Sequence, residues 1–218
     1  MQITWYGHSC FRLRGRSGTV VADPYGPDIG YKLPRIRADI VTVSHDHPDH
    51  ANVKALRGKP TIISGPGEYE IKGIFVIGIP AYSRDTAETP GIQNTIYLLD
   101  FEGVTVCHLG DLRRVPTQSQ VEELGEVDVL LIPVGDGTTL GAAKASEVIS
   151  LLEPKIVIPM HYKTELLRGL ELAPVDQFLK EMGVKESAPQ DELKITKGGL
   201  PSETQVVVMS CSAESSAS

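Results

Sequence analysis

The sequence predicts an α/β domain in which two β-sheets pack together with helices outside. Three observations carry this. Short β-rich runs separated by Gly-containing turns dominate the first half. The second half alternates strand-like and helix-like segments, and the chain closes on further strand-like runs. At 218 residues with 41% hydrophobic and 22% charged residues, one domain of ordinary core size is expected, over residues 1–210.

Gln2–Tyr6, Cys10–Leu13 and Thr19–Ala22 read as an antiparallel start. Residues 24–37, with three prolines and two glycines, form a long irregular loop of the kind that often borders an active site. Strands are expected at Ile40–Val43, Thr61–Ser64, Ile74–Ile79, Thr95–Asp100 and Val104–His108, the last two joined by a Phe101-Glu102-Gly103 turn. Pro116-Thr117 caps a helix over Gln118–Leu124. Val127–Pro133 reads as a buried strand, and apolar spacing near 3.6 makes Ala142–Leu152 a helix. Ile156–Met160 is again a strand, and Pro174–Met182 a helix ended by Gly183. Leu193–Thr196 and Gln205–Met209 are the closing strands, and the small polar residues 211–218 a flexible tail.

One stretch carries chemistry: His45-Asp46-His47-Pro48-Asp49-His50. It holds three of the chain's six histidines and follows the strand-like run Ala38–Ser44. Metal ligands need converging lone pairs on a backbone that does not move. Imidazole and carboxylate suit zinc, and also manganese and iron. His45 and His47, two apart, point the same way in an extended segment. Asp49 and His50 diverge from them, especially if a helix begins near Asn52. Two ligand pairs with different aims suggest two metals side by side, an arrangement common in hydrolases.

This motif resembles the signature of the metallo-β-lactamase superfamily. Other segments agree in order: Val20-Val21-Ala22-Asp23-Pro24, Val106-Cys107-His108-Leu109-Gly110-Asp111, and Ile156-Val157-Ile158-Pro159-Met160-His161-Tyr162. The opening Trp5-Tyr6-Gly7-His8-Ser9-Cys10-Phe11 is similar to the branch holding ascorbate-phosphate lactonase-like and N-acyl-phosphatidylethanolamine phospholipase-like enzymes. The resemblance runs from residue 1 to about residue 165, with a continuation to residue 210. It implies a four-layer αββα sandwich of two mixed β-sheets flanked by helices. It also implies two divalent metal ions, zinc first, with manganese or iron as alternatives. On the family pattern His45 and His47 hold the first metal, Asp49 and His50 the second. Asp111 bridges both, and His161 completes the second. A bridging carboxylate offsets two dications that would otherwise repel strongly.

The chain departs from the pattern once. The family supplies a third His to the first metal from a strand end between the two motif groups. Here the segment reads Ile79-Pro80-Ala81-Tyr82-Ser83-Arg84-Asp85, with Tyr82 where His is expected. Three readings follow: water fills the gap, Tyr82 binds as phenolate, or the first site is weak. His108 is a candidate substitute, although a His often stands there in the related branch without being a ligand. His8 is either a site-lining or orienting residue, or a turn His bonded to backbone. Asp23 is expected to support the metal loop.

The chemistry expected is attack of a metal-bound hydroxide on a small ester, lactone or phosphoester, with Asp49 shuttling the proton. A second reading is a metal-binding protein with degenerate or lost catalysis, kept open by Tyr82. A third is a phosphodiesterase or nuclease. A net charge of −7 and the lack of a Lys/Arg run argue against a nucleic-acid partner, leaving a small-molecule substrate. Gly65-Pro66-Gly67 lacks a P-loop lysine and reads as a turn shaping the pocket mouth. Three dispersed cysteines are not a disulfide framework, and no signal peptide or membrane span stands out. A cytoplasmic protein is expected, with self-association open.

Overall fold

The computed structural model describes residues 1–82, 93–185 and 187–215. Two mixed sheets face each other. The strands of the first are β1 (Gln2–Trp5), β2 (Phe11–Arg14), β3 (Thr19–Ala22), β5 (Ile40–Val43), β6 (Thr61–Ser64) and β13 (Leu193–Lys194). They lie in the order β13-β1-β2-β3-β5-β6, antiparallel as far as β3 and parallel beyond it. The second sheet holds β7 (Gly67–Ile71), β8 (Ile74–Pro80), β9 (Thr95–Phe101), β10 (Val104–His108), β11 (Val129–Pro133), β12 (Ile156–Met160) and β14 (Gln205–Val206). Its order is β14-β12-β11-β10-β9-β8-β7, parallel from β14 to β10 and antiparallel from there. The helices α1 (Gln118–Leu124), α2 (Ala142–Leu152) and α3 (Val175–Glu181) all belong to the second half of the chain.

Local chemistry accounts for these elements. All five residues of β11 and of β12 are buried, as central parallel strands require. The β9–β10 turn is a two-residue loop with Glu102 at φ 58° and Gly103 at φ 79°, the twist that suits a hairpin. Thr117 and Gln120 form a reciprocal capping box at the start of α1. In α2, Ala145, Val148, Ile149 and Leu152 make the buried stripe.

The αββα plan holds with one layer built differently. Residues of alternate parity in β3 and β5 serve two clusters. Val20 and Ile40 join the core between the sheets, whereas Val21, Val41 and Val43 pack outward with Tyr25, Ile29, Tyr31 and Ile36. The outer cover of the first sheet is thus the proline-rich loop, which contains a 3-10 turn at Pro27–Ile29 and the short strand β4 (Tyr31–Lys32), rather than an α-helix. After Asn52 the chain makes a single 3-10 turn, Val53–Ala55, and not an α-helix.

Strand β7 was not expected. It is an edge strand paired, among the described residues, only with β8, and Tyr69 and Ile71 alternate with exposed Glu68 and Glu70 over too short a run to signal itself. The closing strands are shorter than their apolar runs: Lys197–Gly199 forms a 3-10 turn, and after the Val207 N–H donates to the Val157 carbonyl the chain turns to a single bridge between Met209 and Gln190, while staying buried. The segment read as a tail is held as far as Ser215: the Ser212 N–H donates to the Trp5 carbonyl, and β15 (Glu214–Ser215) pairs with β4. Residues 216–218 lie outside the described residues.

One buried carboxylate ties the start of β10 to the C-terminal region. Asp128 accepts the Thr105 N–H at 2.9 Å and the Lys197 ammonium at 2.7 and 2.9 Å. Burial opposes its ionisation, but Lys197 and the Thr105 N–H outweigh it and hold the carboxyl below its ordinary value. A lowered folded pKa adds stability above the unfolded value near ~3.9, lost as pH falls through the folded value. Asp128→Ala is expected to cost about 1–2 kcal/mol at neutral pH. Urea unfolding at pH 7 and in acid should show this difference shrinking; a pH-independent difference would assign the loss to packing.

Candidate metal centre

The C-terminal ends of β3, β5, β10 and β12 converge, as do ligand-binding strand ends in parallel sheets. Asp23 follows β3, the motif 45–50 follows β5, Asp111 follows β10 and His161 follows β12. His8 arrives from the turn between β1 and β2. His8, Asp23 and His161 all sit at positive φ (50°, 43° and 52°), where non-glycine residues carry strain and often mark functional sites.

The motif is turned rather than extended. The His47 N–H donates to the His45 carbonyl at 3.0 Å, and the His50 and Ala51 N–H groups donate to the His47 carbonyl at 2.9 Å. The His45 and His47 rings still lie nearly parallel, 17° apart at 6.0 Å. Asp23, fully buried, moors the loop. It accepts the Ser44 N–H at 2.8 Å, the Ser44 hydroxyl at 2.6 Å and His50 Nδ1 at 2.7 Å. Because that hydroxyl donates to Asp23, His45 Nδ1 at 3.0 Å must donate to it. Both His45 and His50 therefore turn Nε2 toward Asp111, the tautomer a ligand needs.

Asp111 is placed by Gly110 at φ 56° and by Asn94, whose Oδ1 accepts the Asp111 N–H and whose Nδ2 donates to the Leu109 carbonyl, each at 2.9 Å. Its Oδ1 lies 3.2 Å from His50 Nε2 and 3.3 Å from His161 Nε2, and its Oδ2 3.9 Å from His45 Nε2. The carboxylate thus faces histidines on both sides. His47, largely exposed, brings Nδ1 against Asp49 Oδ1. Asp49 Oδ2 is 3.4 Å from His8 Nε2.

The donor atoms form three overlapping sets, each within 4.8 Å: His8, His50 and His161; His45, His50 and Asp111; His45, His47 and Asp49. Asp49 belongs to the last set, and its Oδ1 also lies 3.7 Å from Nε2 of His50, the residue with which the family pattern pairs it. His108 is committed elsewhere: Nε2 donates to the Ser9 carbonyl at 2.8 Å and Nδ1 accepts the Gly110 N–H at 3.2 Å, so neither nitrogen is available to replace a ligand. Tyr82 stands half-exposed on the cavity wall, its carbonyl accepting from Arg114; Ser83, Arg84 and Asp85 lie outside the described residues.

Burial opposes ionisation of Asp49 and Asp111, yet the surrounding histidines outweigh it and hold both carboxyls far below the usual range. Burial pushes His8 and His45 down, and His161 to about 3. His50 is the exception. Burial disfavours its charge, but Asp111, Asp23 and Asp49 raise it to about 9. Ionised carboxylates facing neutral imidazoles make an acceptor set for a hard or borderline dication. A proton on His50 and a cation at the same point are alternatives. The fit has a direct sign: Asp111 Oδ1 is buried with no hydrogen-bond partner among the described residues.

Above this cluster opens a cavity of about 670 Å³, lined also by Ser64, Gly65, Pro66, Gln93, Thr95, Arg113 and Thr138. Gly65 and Pro66, from the turn between β6 and β7, are part of its wall. Asn94, Ser44 and Arg113 were not anticipated; no local pattern distinguishes them from ordinary loop polar residues. Among the described residues no helix is long and apolar enough to cross a membrane.

Comparison with known proteins agrees with this architecture. Residues 2–161 match the β-lactamase superfamily domain. A UPF0173 metal-dependent hydrolase of Archaeoglobus fulgidus is 33% identical, over 91% of this chain and 97% of its own. A Thermococcus kodakarensis protein of the same description is 29% identical, over 75% and 85%. A crystal structure from Thermotoga maritima, described as a Zn-dependent hydrolase of the metallo-β-lactamase superfamily, superposes with a TM-score of 0.80 at 40% identity, covering 95% of this chain and 97% of that one. The chain therefore belongs to the metallo-β-lactamase superfamily, among its metal-dependent hydrolases.

Proposed function

We propose that the protein hydrolyses a small ester, lactone or phosphoester at a centre of two divalent ions, zinc in the first instance. The ligands are His45, His47, Asp49, His50, Asp111 and His161. The observation that carries this reading is the buried Asp111 carboxylate, with His45 on one oxygen and His50 and His161 on the other, at the floor of an open cavity. Divalent ions bound there would acidify a water and polarise a carbonyl or phosphoryl oxygen. The chain supplies the rest. Asp23 and Ser44 fix the imidazole tautomers, and Asp49, itself one of the ligands, takes and returns a proton. The cavity walls orient a substrate of modest size. A cytoplasmic location remains part of this reading, with self-association left open.

Metal analysis with turnover tests it. Two ions per chain, with hydrolysis of generic lactone or phosphodiester substrates, is the expected result. One ion or none, without turnover across such a panel, would favour the degenerate metal-binding reading. Tyr82→His is expected to raise metal occupancy; unchanged occupancy would mean that Tyr82 does not stand at the family's third-His position. His45→Ala should empty the position His45 shares with His47.

A further inference from the structure

We propose that His8 is itself a metal ligand, the third nitrogen of the position served by His50 and His161. This inference rests on the metal-centre reading above. Its first support is convergence. His8 Nε2 lies 3.1 Å from His50 Nε2, and one donor atom each of His8, His50 and His161 falls within a common 4.8 Å. Two imidazole nitrogens facing each other at this distance need a proton between them or a cation that both bind. Since His50 Nδ1 serves Asp23, its Nε2 is the atom offered to that shared point.

The second support is the way His8 is held. It is fully buried, at φ 50°, a left-handed backbone angle that non-glycine residues rarely adopt. Its carbonyl accepts both the Trp5 indole N–H and the His161 N–H, each at 3.0 Å. The backbones of His8 and His161 are thus tied directly together. A turn histidine kept for local structure would spend its ring on backbone partners, as His108 does. The His8 ring instead brings Nε2 to His50 and Asp49, and its Nδ1 has no hydrogen-bond partner among the described residues.

The third support is the ligand balance. With Tyr82 in place of the third family His, the set around His45 and His47 is one short. Asp49 Oδ1 meets His47 and lies 3.7 Å from His50 Nε2, so this carboxylate stands between the two pairs and can complete the set around His45 and His47. His8 then stands where Asp49 would otherwise serve His50 and His161. With Asp49 serving His45 and His47, and His8 serving His50 and His161, each position has three side chains besides the Asp111 carboxylate.

The test is NMR of protein loaded with NMR-active cadmium and carrying isotope-labelled histidine. Coordinated imidazole nitrogens couple to the metal; nitrogens that only orient a ligand do not. The expected result is metal coupling at His8 as well as at His45, His47, His50 and His161. It needs no variant, so it does not depend on a variant folding. In His8→Asn, a residue that tolerates left-handed backbone but is too short to bind, one ion should be lost or held more than 100-fold less tightly in chelator competition. Wild-type protein that binds cadmium with His8 uncoupled overturns the inference and leaves the metal-centre reading intact. Wild-type protein that binds no metal overturns both.

Discussion

Asp23→Ala is expected to lower the unfolding free energy by about 3–5 kcal/mol, the usual cost of removing one partner from a buried charged pair. The carboxylate is inaccessible to solvent and accepts from the Ser44 N–H, the Ser44 hydroxyl and His50 Nδ1. Alanine would strand all three donors in the interior, where water cannot replace the lost acceptor. Two of these bonds also set the imidazoles: the Ser44 hydroxyl, held by Asp23, orients His45, and Asp23 directly orients His50. Metal affinity should therefore fall by roughly 10–100-fold in addition. Asp23→Asn separates the two effects. It keeps an acceptor oxygen and the volume but loses the charge, so its stability loss should be smaller. Denaturant melts and chelator titration of both variants provide the measurement. An alanine variant within about 1 kcal/mol of wild type would show that the loop has another mooring.

Gly110→Ala is the second substitution with a large expected effect. Gly110 has φ 56°, and an added Cβ would lie 2.3 Å from Asn94 Oδ1 and 2.5 Å from Ser44 Cβ. Neither neighbour can yield cheaply. Asn94 holds Asp111 N–H and the Leu109 carbonyl, and Ser44 is fixed by Asp23. The backbone angle costs roughly 1–2 kcal/mol and the overlap about 1–3 kcal/mol more. A loss of about 2–5 kcal/mol in thermal or urea unfolding is expected, with reduced metal content because Asp111 must move. Native stability and full metal content together would rule out this close approach.

The sequence announced those parts of the site that are local in the chain. His45 to His50 is a dense motif behind a buried strand, and Asp111 and His161 each end a β-rich run, so their placement at strand ends could be read directly. What stayed hidden depends on long-range packing. His8 meets His50 across 42 positions, and Lys197 meets Asp128 across 69. Asn94 carries no motif, yet it holds the turn that presents Asp111. The succession of strands and helices was legible because apolar periodicity is a local signal, and the four-layer αββα plan followed from the family resemblance. The outer cover of the first sheet was not, since an irregular loop buries Tyr25 and Tyr31 through their individual shapes rather than through a repeat.

The tie between His8 and His161 has a consequence for how the molecule holds together. His45 and His50 hang from the first sheet, Asp111 and His161 from the second, and His8 from the turn that starts the first sheet. A cation seated among them is a rivet between the two halves of the sandwich, fastening segments more than a hundred residues apart. Such a rivet can close only after β12 has docked, so tight metal uptake would follow completion of the fold rather than guide its early steps. Once seated, at a free concentration 100 times its dissociation constant, one ion would add about 2.7 kcal/mol against unfolding.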